Sequence, residues 1–207
     1  MKPNITKWKA DPVAFIHDVL VNPETGKAFE LFPIQERFLR ELFSLTPDGR
    51  LKYPEAIYGC PKKSGKTTTA AMAMLYAVVV LGGRFAEGIV LANDEAQATD
   101  RIFTAIARIV EASPMLRDSA KITAGRIEFR STGSTIAAIS SDFASAAGSN
   151  RPGNWGARHC SLMHALAELH SGTRRAYNFI RNGYKIWSMS RIFMTDNAFV
   201  RTSARIQ

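Results

Sequence analysis

Hydrophobic residues recur at helical spacing in four segments of the chain. Asp11-Pro12 predicts a helix start, with Asp11 as the N-cap and proline in the first turn. Pro33 predicts a second start, and Gly82-Gly83 predicts the end of a long apolar helix that begins at Lys66. The predicted buried positions of the three amphipathic helices are Val13, Ile16, Val19 and Leu20; Ile34, Phe38, Leu42 and Leu45; and Ile102, Ile106, Ile109 and Val110.

Short apolar runs between these helices predict strands at 55–58, 88–92, 126–130 and 135–139. Strands that alternate with helices predict an α/β fold, with a mostly parallel sheet and helices on both faces. Ligands of such sheets bind at the carboxyl ends of the strands.

The composition narrows the class of protein without identifying it. With 207 residues, 46% of them hydrophobic, the chain has the size and composition of one globular domain. It has no apolar run long enough for a membrane helix and only two cysteines, so we expect no membrane association and a reducing, cytoplasmic location. The net charge of +9 favours a polyanionic partner.

A candidate phosphate-binding loop lies between the first predicted strand and the long helix. The sequence Ser64-Gly65-Lys66-Thr67 matches the end of the pattern G-x-x-x-x-G-K-[ST], although Cys60 replaces its first glycine. Backbone N–H groups around Gly65 can hold a phosphate, Lys66 can reach the β- and γ-phosphates, and the Thr67 hydroxyl can ligate Mg²⁺. We therefore predict a site for ATP and Mg²⁺, formed by Cys60, Pro61, Lys62, Lys63, Ser64, Gly65, Lys66, Thr67 and Thr68.

This loop resembles that of the large subunit of tailed-phage terminases. The family tolerates loss of the first glycine and has a basic residue, usually Arg, three positions before the final glycine, where this chain has Lys62. The resemblance implies that Lys62 contacts the γ-phosphate and, with Lys66, is catalytic. Lys63 is the neighbour that could take the same role.

Two flanking segments add to the resemblance. Phe32-Pro33-Ile34-Gln35 resembles the adenine-reading motif of the family, which implies that Gln35 binds adenine; the alternative is a solvated helix residue. Asp94 follows a predicted strand at a junction that resembles the family, or it is simply a helix N-cap. The resemblance extends from about residue 12 to 150 and implies the N-terminal ATPase domain, of RecA-like type.

The pattern breaks after Asn150. The family continues there with an apolar strand and Asp-Glu, of which Asp serves Mg²⁺ and Glu activates water. No such pair follows, and Glu168 lies in a segment that reads as a helix. The nearest substitute is the apolar run that ends at Asp196. We therefore expect a sheet that is incomplete at its C-terminal side and slow or absent ATP hydrolysis.

Residues 151–207 differ in character from residues 1–150, which we take as the partial ATPase core. Residues 151–207 hold nine basic residues and two acidic ones, Glu168 and Asp196, and so carry a net charge of +7. The favoured hypothesis is a basic tail of uncertain fold, in a disrupted reading frame. Alternatives are a metal site, or a basic and aromatic nucleic-acid surface. The metal site would use His159, Cys160, His164 and His170. The nucleic-acid surface would consist of Arg174, Arg175, Tyr177, Tyr184 and Trp187.

The function implied by the resemblance is that of a DNA-packaging motor, which couples ATP hydrolysis to translocation of double-stranded DNA into a capsid. It implies portal protein, small terminase subunit and a homo-oligomeric ring as partners, in the cytoplasm of a bacterial host. The alternatives are an inactive prophage remnant that at most binds nucleotide, and another P-loop enzyme such as a helicase or small-molecule kinase.

Overall fold

The structure is a computed structural model. It describes residues 4–47, 49, 51–53, 55–59, 63–92, 102–140, 160–166 and 189–195. For the last two segments it describes the backbone alone. In these ranges no helix is both long and apolar enough to span a membrane.

Three helices precede the first strand. Helix α1 (Ile5–Ala10) begins at Asn4, whose side chain accepts from the Lys7 N–H. Helix α2 (Pro12–Val19) begins after Asp11, whose carboxylate accepts from the Val13 N–H, so the predicted cap is confirmed. Helix α3 spans Pro33–Leu42.

The sheet has seven strands in the order β1-β7-β6-β2-β5-β4-β3. The first five of these pair in parallel, and β4 and β3 extend the sheet as antiparallel strands. The predicted α/β class with a mostly parallel sheet is therefore confirmed. The strands are β1 (Glu55–Gly59), β2 (Glu87–Ala92), β3 (Ala120–Thr123), β4 (Arg126–Phe129), β5 (Ser134–Ser140), β6 (Cys160–Leu166) and β7 (Met189–Thr195).

The long helix after the candidate loop is the centre of the core. Helix α4 (Lys66–Tyr76) continues into a π-helical segment (Ala77–Leu81), and nearly all of its apolar side chains are buried. It contacts α2, β6, β7 and α5 (Thr104–Ala112), which is followed by the short helix α6 (Pro114–Arg117). The predicted apolar face of α5 is confirmed, since Ile102, Ile106, Ile109 and Val110 are all buried.

Helix α3 confirms only part of its predicted apolar face, since Leu42 is buried and Phe38 is half-buried against the core. Ile34 is 61% exposed, and Leu45 lies beyond the end of the helix and is 51% exposed. The other buried residues of α3 are Gln35 and Leu39, which were not predicted to be buried. The prediction was therefore right for Leu42 and Phe38 and wrong for Ile34 and Leu45, because a spacing of three or four residues fits either stripe and hydrophobicity alone does not place a glutamine in the core.

Two central strands come from beyond residue 150. Strand β6 pairs with β2, and β7 pairs with both β6 and β1. The expectation that the sheet lacks a strand at this place was wrong, because these two strands join β1 to the rest of the sheet. Leu166, the first residue of the helix predicted for residues 166–170, is the last residue of β6, and residues 167–170 lie outside the described residues. The disrupted reading frame remains a hypothesis.

A polar contact ties α1 to α2. The Asp18 carboxylate accepts from the Lys7 ammonium at 2.7 Å and from the Trp8 indole N–H at 2.9 Å. These bonds, the Lys7 bond above all, lower the pKa of Asp18 below its ordinary value of 3.8. Trp8 packs edge-on against Phe15, so the same contact fixes an aromatic group of the core.

We expect Asp18→Asn to lower the free energy of unfolding at pH 7 by about 1–2 kcal/mol, because a charge-assisted, partly buried hydrogen bond is lost. Since the folded-state pKa is lowered, this stabilisation is present above pH 3.8 and is lost as the pH falls through the folded-state pKa. Urea unfolding at pH 7 and near pH 3 measures both effects. The control is Asp118→Asn, at a carboxylate that is 79% exposed. An equal loss in both variants would contradict the assignment.

Candidate phosphate-binding site

The candidate loop lies at the carboxyl end of β1, where the sequence predicted it. Strand β1 ends at Gly59 and α4 begins at Lys66, so the loop connects a parallel strand to the N-terminus of a buried helix. Cys60, Pro61 and Lys62, all predicted to bind the nucleotide, lie outside the described residues. The structure describes the loop from Lys63 onward.

Two left-handed residues shape the described part of the loop. Lys63 has φ of 67° and Gly65 has φ of 76°. Left-handed residues in a turn direct successive backbone N–H groups toward one side, which forms a concave surface suited to an anion. Glycine adopts this conformation without strain, whereas Lys63 adopts it at a cost of about 1 kcal/mol or more.

The first turn of α4 holds the residues expected to bind phosphate and metal. Its first backbone hydrogen bond runs from the Thr69 N–H to the Gly65 carbonyl, so the preceding N–H groups point out of the helix end. Lys66 is 8% exposed, whereas Thr67 is exposed to solvent. A hydroxyl at this exposed position fits the role of an Mg²⁺ ligand.

The side chains of Lys63 and Thr68 have different surroundings. Lys63 is exposed, so its ammonium is accessible to an anion at the helix end. Thr68 lines a cavity of about 620 Å³ between the segment that follows α2 and helix α5. Thr68 can therefore serve a phosphate through its backbone N–H, while its side chain belongs to the wall of this cavity.

Gln35 lies beside the loop and is buried, with 6% of its surface exposed. Its carbonyl oxygen accepts from the Phe32 N–H at 2.9 Å, and its amide nitrogen donates to the Thr69 hydroxyl at 2.9 Å. The alternative of a solvated helix residue was wrong. Adenine reading by Gln35 stays a prediction, since these contacts neither include nor test a base.

Three strand ends are level at the edge that carries the loop. Gly59 of β1 pairs with Thr195 of β7, and Thr195 pairs with Leu166 of β6. The chain continues from these ends into the candidate loop, into Asp196 and, after Ala167, into Glu168. The last two residues lie outside the described ranges, but their places in the sequence follow strands that end beside the candidate loop.

Sequence reasoning missed Thr69, which links Gln35 to the loop. Thr69 is fully buried, and its hydroxyl donates to the Gly65 carbonyl at 3.0 Å. The run Thr67-Thr68-Thr69 gives no signal that distinguishes the third threonine from the other two.

Other predicted features fall outside the described ranges. They include Asp94, the proposed basic and aromatic surface, and the side chains of the proposed histidine and cysteine cluster. Where side chains are described, no group of three or more His, Cys, Asp or Glu residues is arranged to hold a metal ion.

The strand order and the buried helix behind the loop define a mixed α/β fold with a mostly parallel sheet. The chain is similar in structure to the large terminase of bacteriophage HK97, with a TM-score of 0.68 and 17% sequence identity. The match covers 92% of this chain and 38% of the terminase chain. The terminase resemblance is thus confirmed for the fold. The amino-acid sequence matches no protein-family model and no curated protein sequence.

We expect Gly65→Ala to weaken Mg·ATP binding by at least tenfold. A Cβ at this position lies 3.2 Å from the Gln35 amide nitrogen and is attached to a left-handed backbone. The matched control is Gly83→Ala, which has φ of 68° and no atom within 4 Å of the added Cβ. Both variants should lose about 1 kcal/mol of stability, but only the first should lose nucleotide affinity. Calorimetric titration and thermal unfolding separate the two effects, and equal affinities would refute the site.

Proposed function

We propose that this chain is the ATPase motor domain of a DNA-packaging terminase large subunit, which couples ATP hydrolysis to movement of double-stranded DNA. The observation that carries the proposal is the buried Lys66, placed directly after a left-handed Gly65 at the carboxyl edge of a parallel sheet. The likeness to the HK97 large terminase supports it. The matched region is well under half of that chain, so the activity is an inference about this domain.

In the proposed site the backbone and the side chains at the N-terminus of α4 bind different parts of Mg·ATP. The backbone N–H groups from Gly65 to Thr68 hold the β-phosphate, Lys66 neutralises the β- and γ-phosphates, and the Thr67 hydroxyl holds Mg²⁺. An Mg²⁺ ion held by Thr67 would supply positive charge that stabilises the negative charge developing during phosphoryl transfer. Lys62 or Lys63 adds a second cation at the γ-phosphate.

Hydrolysis also needs a carboxylate that orients the attacking water. We infer that Glu168 and Asp196 are the candidates, because they follow β6 and β7, whose ends are level with the end of β1. Adjacent strands lie about 4.8 Å apart, so the ends of β1, β7 and β6 lie within about 10 Å of each other. Two carboxylates from neighbouring strands would then replace the consecutive Asp-Glu pair, which the sequence lacks.

The proposal implies partners of definite chemistry. Double-stranded DNA is the translocated substrate, and the excess of basic over acidic residues in 151–207 suits a polyanion. A portal protein, a small terminase subunit and further copies of the chain in a ring would complete the motor, in the cytoplasm of a bacterial host.

We expect slow release of phosphate from ATP, stimulated by double-stranded DNA, because the consecutive Asp-Glu pair is missing. Lys66→Ala should abolish nucleotide binding. Glu168→Gln or Asp196→Asn should lower turnover about 100-fold or more, with ATP affinity retained. Asp118→Asn is the control. ATP binding without turnover in the wild type would instead favour a nucleotide-binding remnant, and binding unaffected by Lys66→Ala would refute the proposed site.

Lys62→Ala and Lys63→Ala test the second cation separately. A cation at the γ-phosphate should leave ADP affinity within about twofold and weaken ATP binding or turnover about tenfold or more. Calorimetric titrations with ADP and ATP measure this difference. Arg117→Ala, at an exposed site on α6, controls for general loss of positive charge. Equal losses for the two nucleotides would indicate general anion attraction.

A further inference from the structure

We propose that Gln35 is a positioning residue of the phosphate loop, which acts through Thr69 on the Gly65 peptide and does not select the base. This inference rests on the proposed function, since it concerns the same site. It assigns a role to a contact between α3 and α4 that a base-reading glutamine would not need.

The direction of each hydrogen bond in the contact is fixed. The Phe32 N–H can only donate, so it must face the carbonyl oxygen of Gln35, and the amide nitrogen must face Thr69. The Thr69 hydroxyl accepts from this nitrogen and therefore donates its own proton to the Gly65 carbonyl. The result is a directed chain from the start of α3 to the candidate loop.

Burial shows that the Gln35 side chain faces the protein interior. Gln35 is 6% exposed and Thr69 is fully buried, whereas Phe32 and Ile34, which precede Gln35 in the same motif, are 67% and 61% exposed. A polar chain in such surroundings is strongly directional, because water cannot replace a missing partner. The amide is therefore held toward the loop by partners at both of its ends.

The chain of hydrogen bonds determines the orientation of the peptide group that follows the Gly65 Cα. The carbonyl of this group accepts from both the N–H and the hydroxyl of Thr69, at 2.9 and 3.0 Å. In a planar trans peptide the C=O and the following N–H point in opposite directions. Holding the Gly65 carbonyl into the helix therefore turns the Lys66 N–H outward, toward the place of the β-phosphate.

Loss of the hydrogen-bond chain should weaken the binding of every triphosphate alike, because the affected N–H group binds phosphate whatever the base. The decisive probe is inorganic tripolyphosphate with Mg²⁺, which has no base to read. We expect Gln35→Leu and Thr69→Val each to weaken binding of Mg·ATP, Mg·GTP and Mg·tripolyphosphate about tenfold. Thr69→Ser keeps the hydroxyl and should restore binding to within about twofold of the wild type.

The test is calorimetric titration of the full chain with these three ligands, with thermal unfolding of each variant as the folding control. The double variant Gln35→Leu/Thr69→Val should be no weaker than either single variant, because one break already interrupts the chain. Glu41→Leu, on the exposed face of α3, is the matched control and should bind all three ligands as the wild type does. If Gln35→Leu does not fold, the comparison of Thr69→Val with Thr69→Ser decides.

The outcomes distinguish a failure of the Gln35 inference from a failure of the proposed function. A loss confined to ATP would show that Gln35 reads adenine and would overturn the inference, as would unchanged tripolyphosphate binding in both Gln35→Leu and Thr69→Val. If the folded wild type binds none of the three ligands, the proposed function itself fails, and the inference fails with it.

Discussion

The parallel pairing of β1 with β7 is the constraint on which the candidate site depends. Strand β1 lies at the edge of the described sheet and has β7 as its one neighbour there. This pairing sets where β1 ends, and hence where the loop begins relative to the other strands. It also sets the height at which α4 leaves the sheet edge, because only the loop separates Gly59 from Lys66. A shift of β7 would therefore displace the candidate loop relative to any carboxylate that follows β6 or β7.

A second contact acts from the opposite side of the loop. Helix α3 precedes β1 in the chain, yet its Gln35 reaches the first turn of α4 through Thr69. The candidate loop is thus held between a strand at its start and a polar contact at its end. In the proposed arrangement the segment before β1 would contribute to phosphate binding without touching phosphate, which would give the glutamine motif a function that does not require an adenine.

Much of this fold could be predicted from local sequence, and the exceptions depend on distant partners. The N-cap Asp11, strands β1, β2, β4 and β5 and the helix after the loop carry their own signals in spacing, caps and glycines. Strand β6 does not, since its Leu, Met and Ala residues favour a helix until pairing with β2 and β7 overrides that preference. Likewise, the burial of Gln35 follows from Thr69, which lies 34 residues away in sequence.

The strand order also has a kinetic consequence. Strands β2 to β5 and helices α4 and α5 are close in sequence, whereas the partners Gly59 and Thr195 lie more than a hundred residues apart. Closing so long a loop is slow, and contacts of this kind form late in folding. During synthesis, β1 has no neighbouring strand until β7 has left the ribosome. In the interval β1 offers an open hydrogen-bonding edge to other chains, so chaperone capture at this stage would favour productive assembly over aggregation.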